Sequence, residues 1–218
     1  MIRVTPAPEP AGFDVAVRQP GLRALAEMVG ESPVPSRRRG RPYQKIADHR
    51  DRIPAKLFPA LWTEALDDMM NAYQEICAYS CFRIHTVTGA QTVDHMAPKS
   101  RAWNQAYEWA NYRLASSRLN ASKNNFADVL DPFLVQDDWF ELELVGFQVT
   151  PAKHLDDATR AQIQATIDRL GLNRFCARRE GEAEDYWQGD ISFRILQRES
   201  PFVARELKRQ GRLLPKDL

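Results

Sequence analysis

The chain has no run of eighteen apolar residues, so no membrane-spanning helix is expected. Its opening stretch, MIRVTPAPEPAGFDVAV, lacks a continuous apolar segment and does not read as a secretory leader. Cysteine is scarce. Cys77, Cys81 and Cys176 make an odd count, which argues against a disulfide framework and for a reducing, cytoplasmic setting. An excess of one charge sign is also missing: 30 Lys/Arg against 29 Asp/Glu leave a formal net charge of +1. No internal repeat is visible.

The charge that is present is unevenly placed. Residues 37–52 hold seven Lys/Arg against two Asp, residues 126–150 hold six acids and no base, and residues 194–212 hold six Lys/Arg against two Glu. Basic segments on either side of an acidic one can bind a polyanion although the total cancels. Hydrophobic content of 44% is ample for a packed core, and 218 residues suggest one domain or one domain with an extension.

The informative stretch runs from Thr92 to Asn125. Asp94 and His95 stand at the end of a strand-like run, a Pro-Lys-Ser loop follows at Pro98 to Ser100, and a second strand-like run covers Asn111 to Ala115. A polar helix then carries Asn120 and Lys123, with Ser116 or Ser117 as its N-cap and Asn124-Asn125 at its end. An Asp and an Asn carbonyl suit Mg²⁺, which wants a few oxygen ligands and keeps its waters. A histidine accepts a proton near neutral pH. Together these residue types suit one hard cation held against a phosphodiester.

These residues resemble the HNH nuclease motif, the ββα-metal unit, over about fifty residues from Cys77 to Asn125. Asp94-His95, Asn111 sixteen residues after His95, Asn120 nine later and Lys123 behind it follow that family's order and spacing. The resemblance implies Asp94 and Asn120 as ligands of Mg²⁺ or Mn²⁺, His95 as general base, and Asn111 as the residue pinning the loop that aims the base. It also implies Lys99 and Lys123 as phosphate contacts. Cys77-Ala-Tyr-Ser-Cys81 resembles half of the zinc knuckle of many relatives. The spacing is one longer, and the other half would fall at Ser116 and Leu119, so structural zinc is not expected. Small members with the Pro-Lys-Ser and Tyr-Glu-Trp-x-Asn-Tyr-Arg-Leu pattern, here Tyr107 to Leu114, are similar to effectors of antiviral defence. That similarity implies DNA as substrate and a protein partner such as an ATPase or sensor.

Around the motif, residues 1–42 read as an irregular arm, a short helix from Gly21 to Val29, and a Pro/Ser/Gly-rich linker. The linker's Arg37, Arg38, Arg39 and Arg41 would suit a DNA backbone. Residues 43–126 form the expected nuclease core, led by a helix from Pro59 whose face is Leu61, Leu66, Met69, Met70, Tyr73 and Ile76. Phe82 to Ile84 and Gln91 to Val93, around Thr88-Gly89, read as the hairpin presenting Asp94 and His95. Residues 127–218 read as an α+β extension: a hairpin in Trp139 to Thr150, a helix from Asp157 to Leu170 stopped by Gly171, and a helix from Phe202 to Arg209.

The expected whole is an α+β protein hydrolysing DNA with one divalent ion. A weakly catalytic DNA-binding module and an RNA-directed or toxin-like nuclease are the alternatives. One unit has one active site, so cutting both strands would need a dimer or two visits.

Overall fold

A computed structural model describes residues 1–33, 40–87, 90–126 and 128–218. The protein is α+β, and among the described residues there are two antiparallel two-stranded sheets and seven α-helices. None of these helices is long and apolar enough to cross a membrane. In chain order the elements are α1 (Gln19–Met28), α2 (Leu66–Ala72), β1 (Gln91–His95), β2 (Tyr112–Ser116), α3 (Ser117–Lys123), β3 (Phe140–Leu142), β4 (Val149–Pro151), α4 (Asp157–Leu170), α5 (Cys176–Gln188), α6 (Phe193–Glu199) and α7 (Pro201–Arg209).

The central unit is β1, β2 and α3. The strands pair antiparallel with Val93 opposite Leu114, Asp94 opposite Arg113 and His95 opposite Tyr112. Val93, Leu114 and Tyr112 are buried, and a one-residue slip would exchange this apolar face with the one that carries Asp94 and Arg113. Helix α3 follows β2 without a loop. Ser116 takes the extended N-cap backbone without a side-chain capping bond, and Asn124 ends the helix with a positive φ of 48°.

The strand partner of β1 differs from the expected one. Phe82 to Ile84 does not pair with β1, because its backbone groups are used elsewhere. The Phe82 carbonyl accepts from Cys77 N–H at 2.9 Å, Ile84 N–H donates to the Glu75 carbonyl at 2.7 Å, and Arg83 N–H donates to the Glu199 carbonyl at 2.9 Å. The expected turn at Thr88-Gly89 lies outside the described residues.

The N-terminal arm is only half irregular. A π-helical turn, Asp14–Arg18, runs directly into α1, where Pro20 sits at a first-turn position that needs no amide hydrogen. Gly21 is required there: a Cβ would lie 2.3 Å from the Tyr107 ring. Before the turn, Trp109 Nε1–H donates to the Ala7 carbonyl at 2.8 Å, and Phe13 meets Trp109 and Tyr112 edge-on at 5.7 Å each.

In the C-terminal part, β3 and β4 form the expected hairpin. Helix α4 has the expected span, with Asp156 capping Thr159 N–H at 2.9 Å and Gly171 left-handed at its end. Helices α5 and α6 went unread in the sequence; α5 buries only Arg179, Ala183 and Tyr186, too few apolar side chains to make a stripe.

Candidate functional site

An open cleft of about 410 Å³ runs between β1, the start of the loop after it, and α3, lined among others by Trp62, Asp94, His95, Lys99 and Asn120. Asp94 and His95 are delivered by the end of β1, Asn120 by α3, and Lys99 by the loop that joins β1 to β2. Asn111 stands behind this wall.

Asn111 holds the loop from within. Its Oδ1 accepts from Ala97 N–H at 2.7 Å, and its Nδ2 donates to the Ala97 carbonyl at 3.1 Å and the Gln105 carbonyl at 3.0 Å. Its own carbonyl takes the Met96 amide at 2.8 Å. The next carbonyl after Gln105, that of Ala106, lies 2.9 Å from His95 Nε2. A carbonyl only accepts, so Nε2 carries the hydrogen and Nδ1 the lone pair. Asn111 therefore fixes the loop that fixes the imidazole tautomer.

His95 is nearly enclosed. Trp62 meets its ring edge-on at 4.9 Å and Tyr112 at 5.1 Å. Burial, with Lys99 nearby as the second cause, pushes its pKa down to about 3, against the pull of the Ala106 carbonyl. The ring is neutral at physiological pH. Lys99 Nζ lies 3.6 Å from the centre of the Trp62 ring, within cation–π reach. Burial brings the Lys99 pKa down to about 8, opposed by Asp94.

Asp94 is 2% exposed and held from two sides. The Tyr79 hydroxyl donates to Oδ2. Lys123 Nζ lies 3.2 Å from Oδ1 and 3.1 Å from Oδ2, and also donates to the His95 carbonyl at 2.8 Å. Burial raises the Asp94 pKa, and the Lys123 charge and the Tyr79 hydroxyl oppose the rise. Lys123, which the resemblance implied as a phosphate contact, is turned inward. Its side chain is fully buried and faces Asp94, because the last turn of α3 packs against β1.

Asn120 Nδ2 donates to Thr92 Oγ1 at 3.2 Å and approaches the Val93 carbonyl at 3.4 Å. Those partners set the orientation of the amide, leaving Oδ1 without a hydrogen bond among the described residues. Asp94 and Asn120 thus put two hard oxygen donors on one cleft. That set fits Mg²⁺ or Mn²⁺, which is commonly held by one or two carboxylates, substrate phosphate and water. Among the described residues no three His, Cys, Asp or Glu side chains gather as a metal-holding group.

The expected basic tracks fare differently. Arg37, Arg38 and Arg39 lie outside the described residues, and Arg41 is exposed but not among the cleft residues. In the C-terminal run, Arg198 pairs with Glu199, Arg205 with Asp137 and Glu206, and Arg209 with Glu141 and Glu206. Acids of the 126–150 segment thus neutralise part of that run within the fold.

Three residues were missed in the sequence: Tyr79, Trp62 and Thr92. Tyr79 lies inside the Cys77–Cys81 segment, whose thiol spacing carries no signal for its phenol; both cysteines are buried and free.

The enclosed imidazole makes stability depend on pH. With a folded value of about 3 and an ordinary value of 6.5, the unfolded chain binds the extra proton between those limits. His95 contributes its stabilisation in full above about 6.5, and loses it as pH falls toward 3. In chelator, denaturant midpoints should fall across that window, with a slope approaching roughly 1.4 kcal/mol per pH unit from this group. His95→Gln should lack that component; an unchanged slope would show that the ring is solvated.

No family model matches the chain, and no curated protein matches it.

Proposed function

We propose that the chain is a divalent-metal-dependent endonuclease of the HNH type, that β1, β2 and α3 are its ββα-metal unit, and that its substrate is DNA. The observation that carries this reading is the pairing of a neutral His95, whose Nε2 is committed to the Ala106 carbonyl, with the Asp94 and Asn120 oxygens on one cleft. Asp94 and Asn120 would hold Mg²⁺ or Mn²⁺, which when bound polarises the phosphate and offsets charge on the leaving oxygen. His95 Nδ1 takes a proton from water as the water oxygen attacks phosphorus. The bond to the 3′ oxygen breaks and that oxygen takes a proton from solvent, leaving 5′-phosphate and 3′-hydroxyl ends. Lys99, stacked on Trp62, supplies a cation for a non-bridging phosphate oxygen.

The test is nicking of supercoiled plasmid by the purified chain with Mg²⁺, with chelator, and with an RNA substrate in parallel. Mg²⁺-dependent nicking is expected. No cleavage of DNA under any metal condition would overturn the reading, and cleavage of RNA alone would move the substrate class. Complete digestion without another protein would also remove the need for a directing partner such as an ATPase or sensor, which we otherwise propose from the family resemblance.

The two asparagines should separate in a metal titration of the cleavage rate. Asn120→Ala is expected to raise the Mg²⁺ concentration needed for half-maximal rate, with partial recovery at high Mg²⁺ or in Mn²⁺. Asn111→Ala should lower the maximal rate with little movement of that midpoint, since its bonds go to Ala97 and Gln105. The opposite pattern would swap their roles.

A further inference from the structure

Lys123 is an ammonium with no solvent exposure. Its three close oxygens are the two of Asp94, at 3.2 and 3.1 Å, and the His95 carbonyl at 2.8 Å. It stands three residues after Asn120 on α3, so the two side chains lie on the same helical face. The carboxylate that would bind a metal is thus already matched by a fixed positive charge, while Tyr79 holds its orientation from the other side.

We propose that Lys123 is an internal counter-ion that competes with the divalent metal for Asp94, stabilising the carboxylate in the metal-free chain and keeping metal affinity low. This rests on the reading of Asp94 and Asn120 as the metal pair. A buried carboxylate stripped of its partner is strongly destabilising, so the ammonium keeps the site formed before an ion arrives. The same charge repels an incoming dication across a short path of low effective dielectric. With Lys99 also on the cleft, the two nearby lysines outnumber the carboxylate of Asp94 that lines it among the described residues. Lys123 is therefore a positioning residue: it acts on Asp94 and does not touch the reacting atoms.

The experiment compares wild type, Lys123→Met, and the double variant Asp94→Asn with Lys123→Met. Mn²⁺ binding is followed by loss of the free-ion paramagnetic resonance signal, and melting temperature is read with and without Mn²⁺. Methionine is unbranched, one atom shorter than lysine, and removes the charge. Lys123→Met should bind Mn²⁺ about tenfold tighter than wild type or more, as expected when a like charge a few ångströms away is removed. Its melting temperature should rise far more on adding Mn²⁺ than that of wild type. The double variant should fold without metal and show no response.

A folded Lys123→Met protein that binds Mn²⁺ no tighter than wild type overturns the proposal. So does one that stays unfolded in Mn²⁺, whether or not the double variant folds, because the ion then cannot replace the ammonium. Folding only in the presence of Mn²⁺ supports it. The nuclease reading fails separately: the full Mn²⁺ response in a chain that cleaves nothing would leave the competition standing and remove the proposed reaction. Metal-dependent cleavage with equal Mn²⁺ affinity in both proteins would remove only the competition.

Discussion

Replacing His95 with alanine is expected to lower the rate of plasmid nicking by about 10²–10⁴ at saturating Mg²⁺, the typical loss for a missing general base. Among the described residues the cleft wall offers no substitute. Lys99 is a cation with a depressed but still basic pKa of about 8, and Asp94 is occupied by Lys123 and Tyr79. The fold should survive, because the Ala106 carbonyl that His95 uses also accepts from the Tyr112 hydroxyl at 2.9 Å. One carbonyl bond is lost, but the carbonyl is not left without a partner. Circular dichroism and DNA binding should therefore resemble wild type while the initial rate collapses. Wild-type cleavage by His95→Ala would remove His95 from the reaction, whatever the metal data show.

The convergence of Asp94, His95 and Asn120 on one cleft was implied by the resemblance to the HNH motif, and short-range geometry accounts for it. A strand end, a return strand and a helix following without a loop leave few ways to place three such side chains. What lay beyond local geometry was not legible. Tyr79 reaches Asp94 and Trp62 reaches His95 from segments before β1 that carry no periodic signal toward the strand. An Asn-x-x-Lys spacing puts Asn120 and Lys123 on one helical face, but it does not say that the far end of that face is buried. The strand pairing was misread for a related reason. Phe82 to Ile84 alternates as a strand should, yet it bonds to Cys77, Glu75 and Glu199, and the Glu199 contact comes from α6, which the sequence did not reveal. The uneven charge also had a fold-level cause. Basic and acidic segments far apart in sequence meet at α7 and the β3–β4 hairpin, where Arg209 reaches Glu141, so a run that looked free for a polyanion is partly spent.

A large loss of stability is also expected at Arg113. It sits opposite Asp94 in the register of β1 and β2 and is only 3% exposed. Its Nε and Nη2 form a fork with the two oxygens of Asp131 at 2.7 and 2.6 Å, and its Nη1 donates to the Ala110 and Tyr112 carbonyls at 2.9 and 2.8 Å. The guanidinium also lies 3.5 Å from the centre of the Phe133 ring. Arg113→Ala would leave a largely buried carboxylate uncompensated and two carbonyls short of a donor, a change that costs about 3–5 kcal/mol. For a chain of this size that corresponds to a fall in melting temperature of roughly 6–20 °C. Arg113→Lys should recover only part of it, since one ammonium cannot reproduce the planar fork. The double variant Arg113→Met with Asp131→Leu should recover more than Arg113→Lys, because it removes both charges together. A fall under about 1 kcal/mol for Arg113→Ala in denaturant unfolding would mean that the pair is solvated and behaves as a surface ion pair. The expected large loss would make Arg113 the residue that fastens β2, and with it the strand opposite Asp94, to the segment leading into the C-terminal part of the chain.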